Sequence, residues 1–302
     1  MDISALWVPA TLIASVGQVA RNTMQRRLTE KIGTLGATQV RFLYGFPFAL
    51  VFLAVALEIS GEPLPGPGPG FGFYLVLGAT AQIAATALML AAMRHRSFSV
   101  VTALLKTEAL QIALFGLVFL GDRLSIPAVG AIILATVGVV LVSWNPRTAG
   151  DMRSGGLLPV ALGIAAAAMF AVSAVGFRGA ILHLDSGSSF LRATTALAWS
   201  LFLQTAMLAA WLILFDRQAL LGSFREWRSS ITAGFLGAGA SQFWFIGFAL
   251  TAAANVRTLA LVEVLMAQAI SRRVFAQAPT RRETLGMGLI VAGVLGILVT
   301  AR

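Results

Sequence analysis

The sequence predicts an all-α membrane protein, ten transmembrane helices forming two inverted five-helix repeats around a central cavity. Three observations predict it. Hydrophobic residues make up 58% of the 302-residue chain and charged residues only 11%, against about 25% charged in ordinary soluble domains. A soluble fold of this length cannot cover that much apolar surface. Ten apolar segments follow one another with short connections, and a buried-type carboxylate recurs at the same place in each half.

The segments run over residues 4–24, 35–57, 71–93, 97–119, 125–144, 156–177, 189–214, 230–252, 256–275 and 284–301. Each is long enough to cross about 30 Å of hydrocarbon as a helix. Arg26, Arg27 and Lys31 close span 1, and "GEPLPGPGPG" (61–70) separates spans 2 and 3. Arg94 and Arg96 end span 3, Arg123 follows span 4, and "NPRTAGDMRSGG" (145–156) divides the chain into repeats 1–146 and 147–302. Arg178 ends span 6; Arg217, Arg225 and Arg228 follow span 7; Arg272 and Arg273 stand in the last turn of span 9, and Arg281 and Arg282 follow it. Continuous apolar runs lack the in/out alternation of a membrane barrel, so the spans read as helices. The glycine-rich stretch at 66–72 has no GK[ST] and reads as a turn, not a phosphate loop. No cofactor is called for. Cysteine is absent, which removes disulfides and thiolate metal sites. The start, with Asp2 and no basic n-region, does not read as a cleaved signal peptide.

Net charge is +10, but the basic residues sit singly or in pairs between apolar runs. No continuous basic face exists, which argues against nucleic acid. The loops after odd-numbered spans, counted with the last turn of span 9, hold 14 Lys and Arg, and the opposite side holds Arg123, Arg178 and Arg302. The positive-inside rule places the odd loops in the cytoplasm and both termini outside, in a bacterial-type inner (cytoplasmic) membrane.

Span 4 poses the central question. "LLKTEALQIALFG" (104–116) carries Lys106 and Glu108 near its midpoint. Each charge at a helix centre costs roughly 2.5–3.5 kcal/mol, while each surrounding Leu, Ile, Val or Phe returns roughly 0.3–0.6 kcal/mol. Insertion has little margin. Glu263 stands 155 residues after Glu108, and at the same offset Ser125 matches Thr280 and Gly138 matches Gly293. "VRFLYG" (40–45) resembles "LRATTA" (191–196), matching Arg41 with Arg192. An odd number of spans per half forces the halves into opposite orientations, with a site at mid-depth between them. The two glutamates would then face one cavity, where a charge can find water or a partner.

"TEALQIALFGLVFLGDRLS" (107–125) is similar to the signature of EamA-type members of the drug/metabolite transporter superfamily, in which a Glu-Pro opens the core of the fourth helix and a Gly-Glu-Arg-Leu stretch follows its end. "VEVLMAQAISRRVFAQAPT" (262–280) resembles a degraded second copy. The resemblance implies a carrier of small metabolites, often an exporter of amino acids or related compounds, with a cavity lined by spans 1, 3, 4, 6, 8 and 9. Ala109 and Val264 stand where proline is common, so spans 4 and 9 are expected to be straighter. The loop after span 2 is acidic, with Glu58 and Glu62, where relatives carry a basic one and are drawn with both termini in the cytoplasm.

Glu108 and Glu263 lead the candidate site. In a partly dry cavity a carboxylate can bind a substrate ammonium or take up a proton. The alternative is a fixed ion pair with Arg41 or Arg192. Lys106 is about 200° from Glu108 around a continuous helix, so only one of them is expected to face the cavity squarely. Leu261 occupies its place in the second half, which makes Lys106 a candidate for substrate asymmetry or for a structural pair. Arg21, Arg41, Arg192 and Arg257 lie nearer span ends and either snorkel to the interface or serve as ion-pair partners. Five embedded cations face two embedded carboxylates, and a surplus lining the cavity favours a carboxylate, a phosphate or a zwitterion. Gln18, Asn22, Gln82, Gln242 and Gln268 add donors and acceptors at mid-depth, or else join helices. Trp244 beside Gln242 in "SQFWFIGF" (241–248) suits an amphipathic ligand or plain packing. Gly286 and Gly293 on span 10, with Gly130 and Gly138 on span 5, let helices approach, either between the halves or in a homodimer.

No HExxH or GxSxG occurs, and the two histidines, His95 and His183, have no catalytic setting, so an enzyme is not expected. A non-transporting receptor or scaffold has little use for mirrored carboxylates. A flippase for lipids or lipid-linked sugars shares the plan but requires a lateral opening. The reading is a carrier for small polar metabolites in the lipid bilayer, working by alternating access, driven by the solute gradient or a coupled proton.

Overall fold

A computed structural model describes residues 3–95, 101, 104–143, 158–266 and 280–300. Parts of predicted spans 4, 5, 6, 9 and 10, with Gln268 and the loop residues Arg96, Arg147, Arg153, Arg272 and Arg273, lie outside the described residues, as does the side chain of Arg26.

A short 3-10 turn (Ile3–Leu6) leads into α1 (Trp7–Leu43), which contains a break at Gly33 with φ 73° and ψ 174°. Only glycine adopts that backbone without strain, so α1 is two rods, 7–32 and 34–43. The first rod runs eight residues past the predicted end at Met24 because "QRRLTEKI" (25–32) consists largely of good helix formers. The second rod reaches one turn at Tyr44–Gly45 and continues as α2 (Phe46–Ser60), where Pro47 lacks the N–H that an unbroken ladder needs. α3 (Phe71–His95), α4 (Glu108–Leu120) and α5 (Ile126–Ser143) complete the first half. The second half contains α6 (Leu158–Leu182), α7 (Ser189–Phe215), α8 (Arg217–Arg225), α9 (Trp227–Leu250), α10 (Ala253–Leu259) and α11 (Arg281–Thr300).

Side-chain caps mark the starts of α7, α8 and α11. The Ser188 hydroxyl accepts from Leu191 N at the start of α7. Thr280 and Glu283 bond each other's backbone N–H at the start of α11, a reciprocal capping box. The short α8, capped by Asp216, falls in what the sequence reads as a loop. Among the described residues, six helices are long and apolar enough to cross a membrane, and Glu108–Leu120 and Ile126–Val142 are shorter apolar helices. Large apolar side chains such as Val55, Ile59, Leu117, Val118 and Leu214 point outward, as expected where lipid is the solvent.

The most extensive helix contacts are α3 with α6, α5 with α11 and α1 with α9. Exchanging the halves turns α3·α6 into α9·α1 and leaves α5·α11 and α2·α7 unchanged. Small residues permit these approaches. A β-carbon on Gly176 of α6 would lie 2.7 Å from the backbone of Gly78 on α3, and one on Gly138 of α5 would lie 2.6 Å from Gly286 O on α11. Gly293 meets Ala131 and Ala135 of α5 in the same seam, while Gly130 faces open space. Three of the four glycines singled out in spans 5 and 10 are therefore used between halves of one chain.

Replacing Gly176 with Leu drives a side chain into backbone atoms and is expected to cost about 1–3 kcal/mol, read as a lower thermal midpoint in detergent. Gly130→Leu, at a position with no neighbour, is expected to leave the midpoint within about 0.5 kcal/mol of native.

Candidate functional site

The fourth helix of each half is interrupted beside its glutamate. Residues 104–105 are helical, Lys106 and Thr107 form a turn, and α4 restarts at Glu108. In the second half α10 ends at Leu259, Ala260 and Leu261 form a turn, and residues 262–266 are helical again. Thr107 N bonds Leu104 O at 3.2 Å, and Leu261 N bonds Thr258 O at 3.1 Å, tighter i to i−3 links in place of the helical ladder. The expectation of straighter helices, based on Ala109 and Val264, is therefore corrected: both helices break without proline.

Electrostatics explains the position of the breaks. A helix C-terminus favours a cation and an N-terminus a carboxylate. Arg257 lies in the last turn of α10 and Glu108 opens α4; Lys106 stands in the turn before α4, and Glu263 is the second residue of the helical stretch 262–266. The four charges then pair crosswise between the halves. Glu108 Oε1 lies 3.2 Å from Arg257 Nε, and Lys106 pairs with Glu263. Glu263 Oε2, Glu108 Oε1 and Arg257 Nε are buried without a hydrogen-bond partner, so Glu108 and Arg257 form an ion pair by proximity and not a hydrogen bond.

This geometry revises the argument from helical angle. The turn at 106–107 removes the 200° separation, and Lys106 and Glu108 line the same cavity together with Glu263 and Arg257. Snorkelling is also corrected for three arginines. Arg21 is 2% exposed and Arg41 6%, and Arg257 is held inside by Glu108. The reason for Arg21 is the longer first rod, which places it mid-helix and not near an end.

Two small cavities with shared lining residues lie beside these charges. One, of about 40 Å³, is lined by Arg21, Asn22 and the four paired charges. The other, of about 30 Å³, is lined by Arg41, Gln82, Ser173, Gln204, Trp244 and Phe248, among others. Gln18, Phe170 and Arg257 line both. Each has room for about two or three ordered waters. Arg257 stands 4.1 Å above the Trp244 ring centroid and 5.6 Å from that of Phe248, a cation–π shelf. Trp244 Nε1 donates to Gln18 Oε1 at 3.0 Å. Arg41 Nη1 donates to Thr86 Oγ1 at 2.8 Å, and Gln82, with its amide oxygen turned to Arg41, accepts from Nη1 at 2.9 Å and donates to Ser173. Arg21 donates to Asn22 Oδ1 through Nε and Nη2.

Two candidates stand apart. Gln242 donates to Thr194 Oγ1 at 2.7 Å, tying α9 to α7. Arg192 lines neither cavity, so the suggested pairing of either glutamate with Arg41 or Arg192 is replaced by Arg257 and Lys106. Phe170, Ser173, Gln204 and Phe248 line the site without having been singled out. Ser173 stands in the alanine-rich run "AAAAMFAVSAVG" (165–176), the same signal of an isolated polar residue that marks Gln82.

Loops close both faces. On one, Lys31 Nζ meets Glu226 Oε2 at 2.9 Å and Tyr44 Oη donates to Ser223 O at 3.1 Å. On the other, Gly68 N donates to His183 O at 2.9 Å, Asp185 N to Gly66 O at 3.0 Å and Ser188 N to Glu62 Oε2 at 2.7 Å. Nearby, Arg178 joins Asp122 and also donates to Phe248 O and Thr251 O, tying the end of α9 to the loop after α4.

The EamA-like transporter family matches residues 5–144 and again 157–299. The chain belongs to that family. An EamA-like chain is a multi-pass membrane protein of a transporter family, not an enzyme family, and the two matches meet in the connection at 145–156. A solved structure described as "Crystal structure of protein" is 16% identical, covers 100% of this chain and 99% of its own, and gives a TM-score of 0.66. Among solved structures 29 chains match; at this identity the likeness speaks for fold alone. No curated protein matches.

Glu108→Gln strands Arg257 without its charge partner and is expected to cost about 3–5 kcal/mol, as for other buried pairs broken on one side. The double variant with Arg257→Gln is expected to cost less than the two single changes together, measured as thermal midpoints in a double-mutant cycle.

Proposed function

We propose that this EamA-like protein is a secondary carrier that moves small polar metabolites, such as amino acids or organic anions, by alternating access between two inverted halves. The single observation that carries this reading is the crossed pairing of Lys106 with Glu263 and Glu108 with Arg257 at two broken helices. Irregular backbone and charge at membrane depth are tolerated where they face a cavity, and half-helix ends at the interface of two repeats are a recurring substrate-site plan. Each pair spans the halves, so a solute that competes for one partner alters the bond between them. Loop contacts on both faces supply two gates that open in turn.

The charge bias supports an inner-membrane orientation with both termini outside, and the family resemblance supports export. A coupled proton or the solute gradient supplies the driving force. The carboxylates of Glu108 and Glu263 are the groups able to accept a proton at the site.

Uptake of amino acids and organic acids by protein-containing liposomes tests the reading. Glu108→Gln and Glu263→Gln are each expected to lower uptake roughly tenfold or more, the worth of one charge-assisted bond, or to change its pH dependence. Full uptake with both substitutions would assign the glutamates to structure alone.

A further inference from the structure

Charge does not balance in the core. The chain has 12 acidic residues, of which only Glu108 and Glu263 fall within the predicted spans. Four cations line the two cavities with them: Arg21, Arg41, Lys106 and Arg257. Arg257 and Lys106 are matched by the two glutamates. Among the described residues Arg21 and Arg41 have neutral partners, Asn22 for one, Thr86 and Gln82 for the other.

The stems of these two side chains pass the same point, while their guanidinium groups line adjoining cavities. A β-carbon on Gly237 of α9 would stand 3.4 Å from Arg21 Cδ and 3.9 Å from Arg41 Cγ. Arg21 Nη1 is buried with no hydrogen-bond partner. A guanidinium is not deprotonated in proteins, so proton loss cannot remove the excess. Two like charges at membrane depth without a carboxylate are costly as structure, and packing alone gives them no role. Their planar forks suit the oxygens of a carboxylate or phosphate.

We propose that Arg21 and Arg41 form the receptor for a small organic or inorganic dianion, and that the carrier changes sides only while the dianion is bound. The proposal rests on the carrier reading above and adds the substrate's charge and the mode of transport. Closure over a dianion leaves the core neutral, with the crossed pairs intact on the adjoining wall. Closure without it strands two positive charges in low dielectric. A zwitterion leaves that surplus uncancelled, and a cation enlarges it. Loaded carrier therefore crosses and unloaded carrier is held back, so the protein exchanges one anion for another. Gln18, Phe170 and Arg257 line both cavities, so the proposal requires that Gln18 and Phe170 move for one anion to reach both arginines.

Thermal unfolding of the purified protein at fixed ionic strength and mildly alkaline pH tests the receptor. The probes are succinate and inorganic phosphate as dianions, acetate as monoanion, alanine as zwitterion and putrescine as cation. The dianions are expected to raise the midpoint most. Arg21→Gln and Arg41→Gln are each expected to weaken that response roughly 10- to 100-fold in concentration, the worth of one charge-assisted bond. Equal or greater stabilisation by acetate, alanine or putrescine overturns the proposal, as does an unchanged dianion response in both variants. Should a glutamine variant not fold, the ranking of probes on the native protein decides the matter. Labelled phosphate or succinate uptake into liposomes, with and without the same anion inside, then tests exchange. Uptake confined to loaded vesicles is expected, and equal uptake into unloaded ones overturns exchange. Dianion binding with no flux into either kind of vesicle overturns the carrier reading while the receptor stands.

Discussion

Two ion pairs crossing between the halves constrain everything around them. A carboxylate at the bilayer centre is costly alone, and so is a cation. Holding Glu108 against Arg257 and Lys106 against Glu263 relieves both costs at once. It also requires α4 and the segment from α10 to residue 266 to face each other at the same depth. The broken turns follow from this requirement, because an unbroken helix would turn Lys106 away from Glu108. The backbone groups freed by each turn then need tight local bonds or water.

Helix packing serves that arrangement. α1 pairs with α9, and α3 with α6, through contacts close enough for backbones to touch. In hydrocarbon no hydrophobic force drives helices together, so van der Waals contact at small residues carries the association. The seam between α5 and α11 joins the halves away from the charges. The core thus combines closely packed helix pairs with a polar centre in which Arg257 bridges a carboxylate and an aromatic shelf.

Much of the fold was legible in the sequence. Long apolar runs bounded by arginine, glycine and proline placed α3, α7 and α9 to within three residues of their ends and α6 to within five. The longer first rod was not legible from hydropathy, since residues 25–32 are polar yet helix-forming. The turns at 106–107 and 260–261 contain neither glycine nor proline, the residues that ordinarily mark a helix break; beside them stand charges whose partners lie in the other half. Glu108, Glu263, Lys106 and Arg257 were visible as embedded charges, whereas their pairing was not. Periodicity reports which face a residue occupies, not which residue of another helix meets it. Arg192 matched Arg41 in sequence, yet only Arg41 lines a cavity. Ser173 and Phe170 escaped notice because a serine or phenylalanine in an apolar helix is ordinary.

The two mouths are fastened by unlike bonds. One depends on an exposed ammonium–carboxylate contact, Lys31 to Glu226, with a single hydroxyl bond beside it. The other is stitched largely through main-chain amides between residues 66–68 and 183–185. Salt weakens an exposed charge pair in part even at contact, and more as ionic strength rises and the screening length shortens, and it leaves amide-to-carbonyl stitches almost untouched. Salt therefore acts as a selective solvent for one latch. Labelling of single cysteines placed at each mouth, followed across a salt series, reports which of the two yields first.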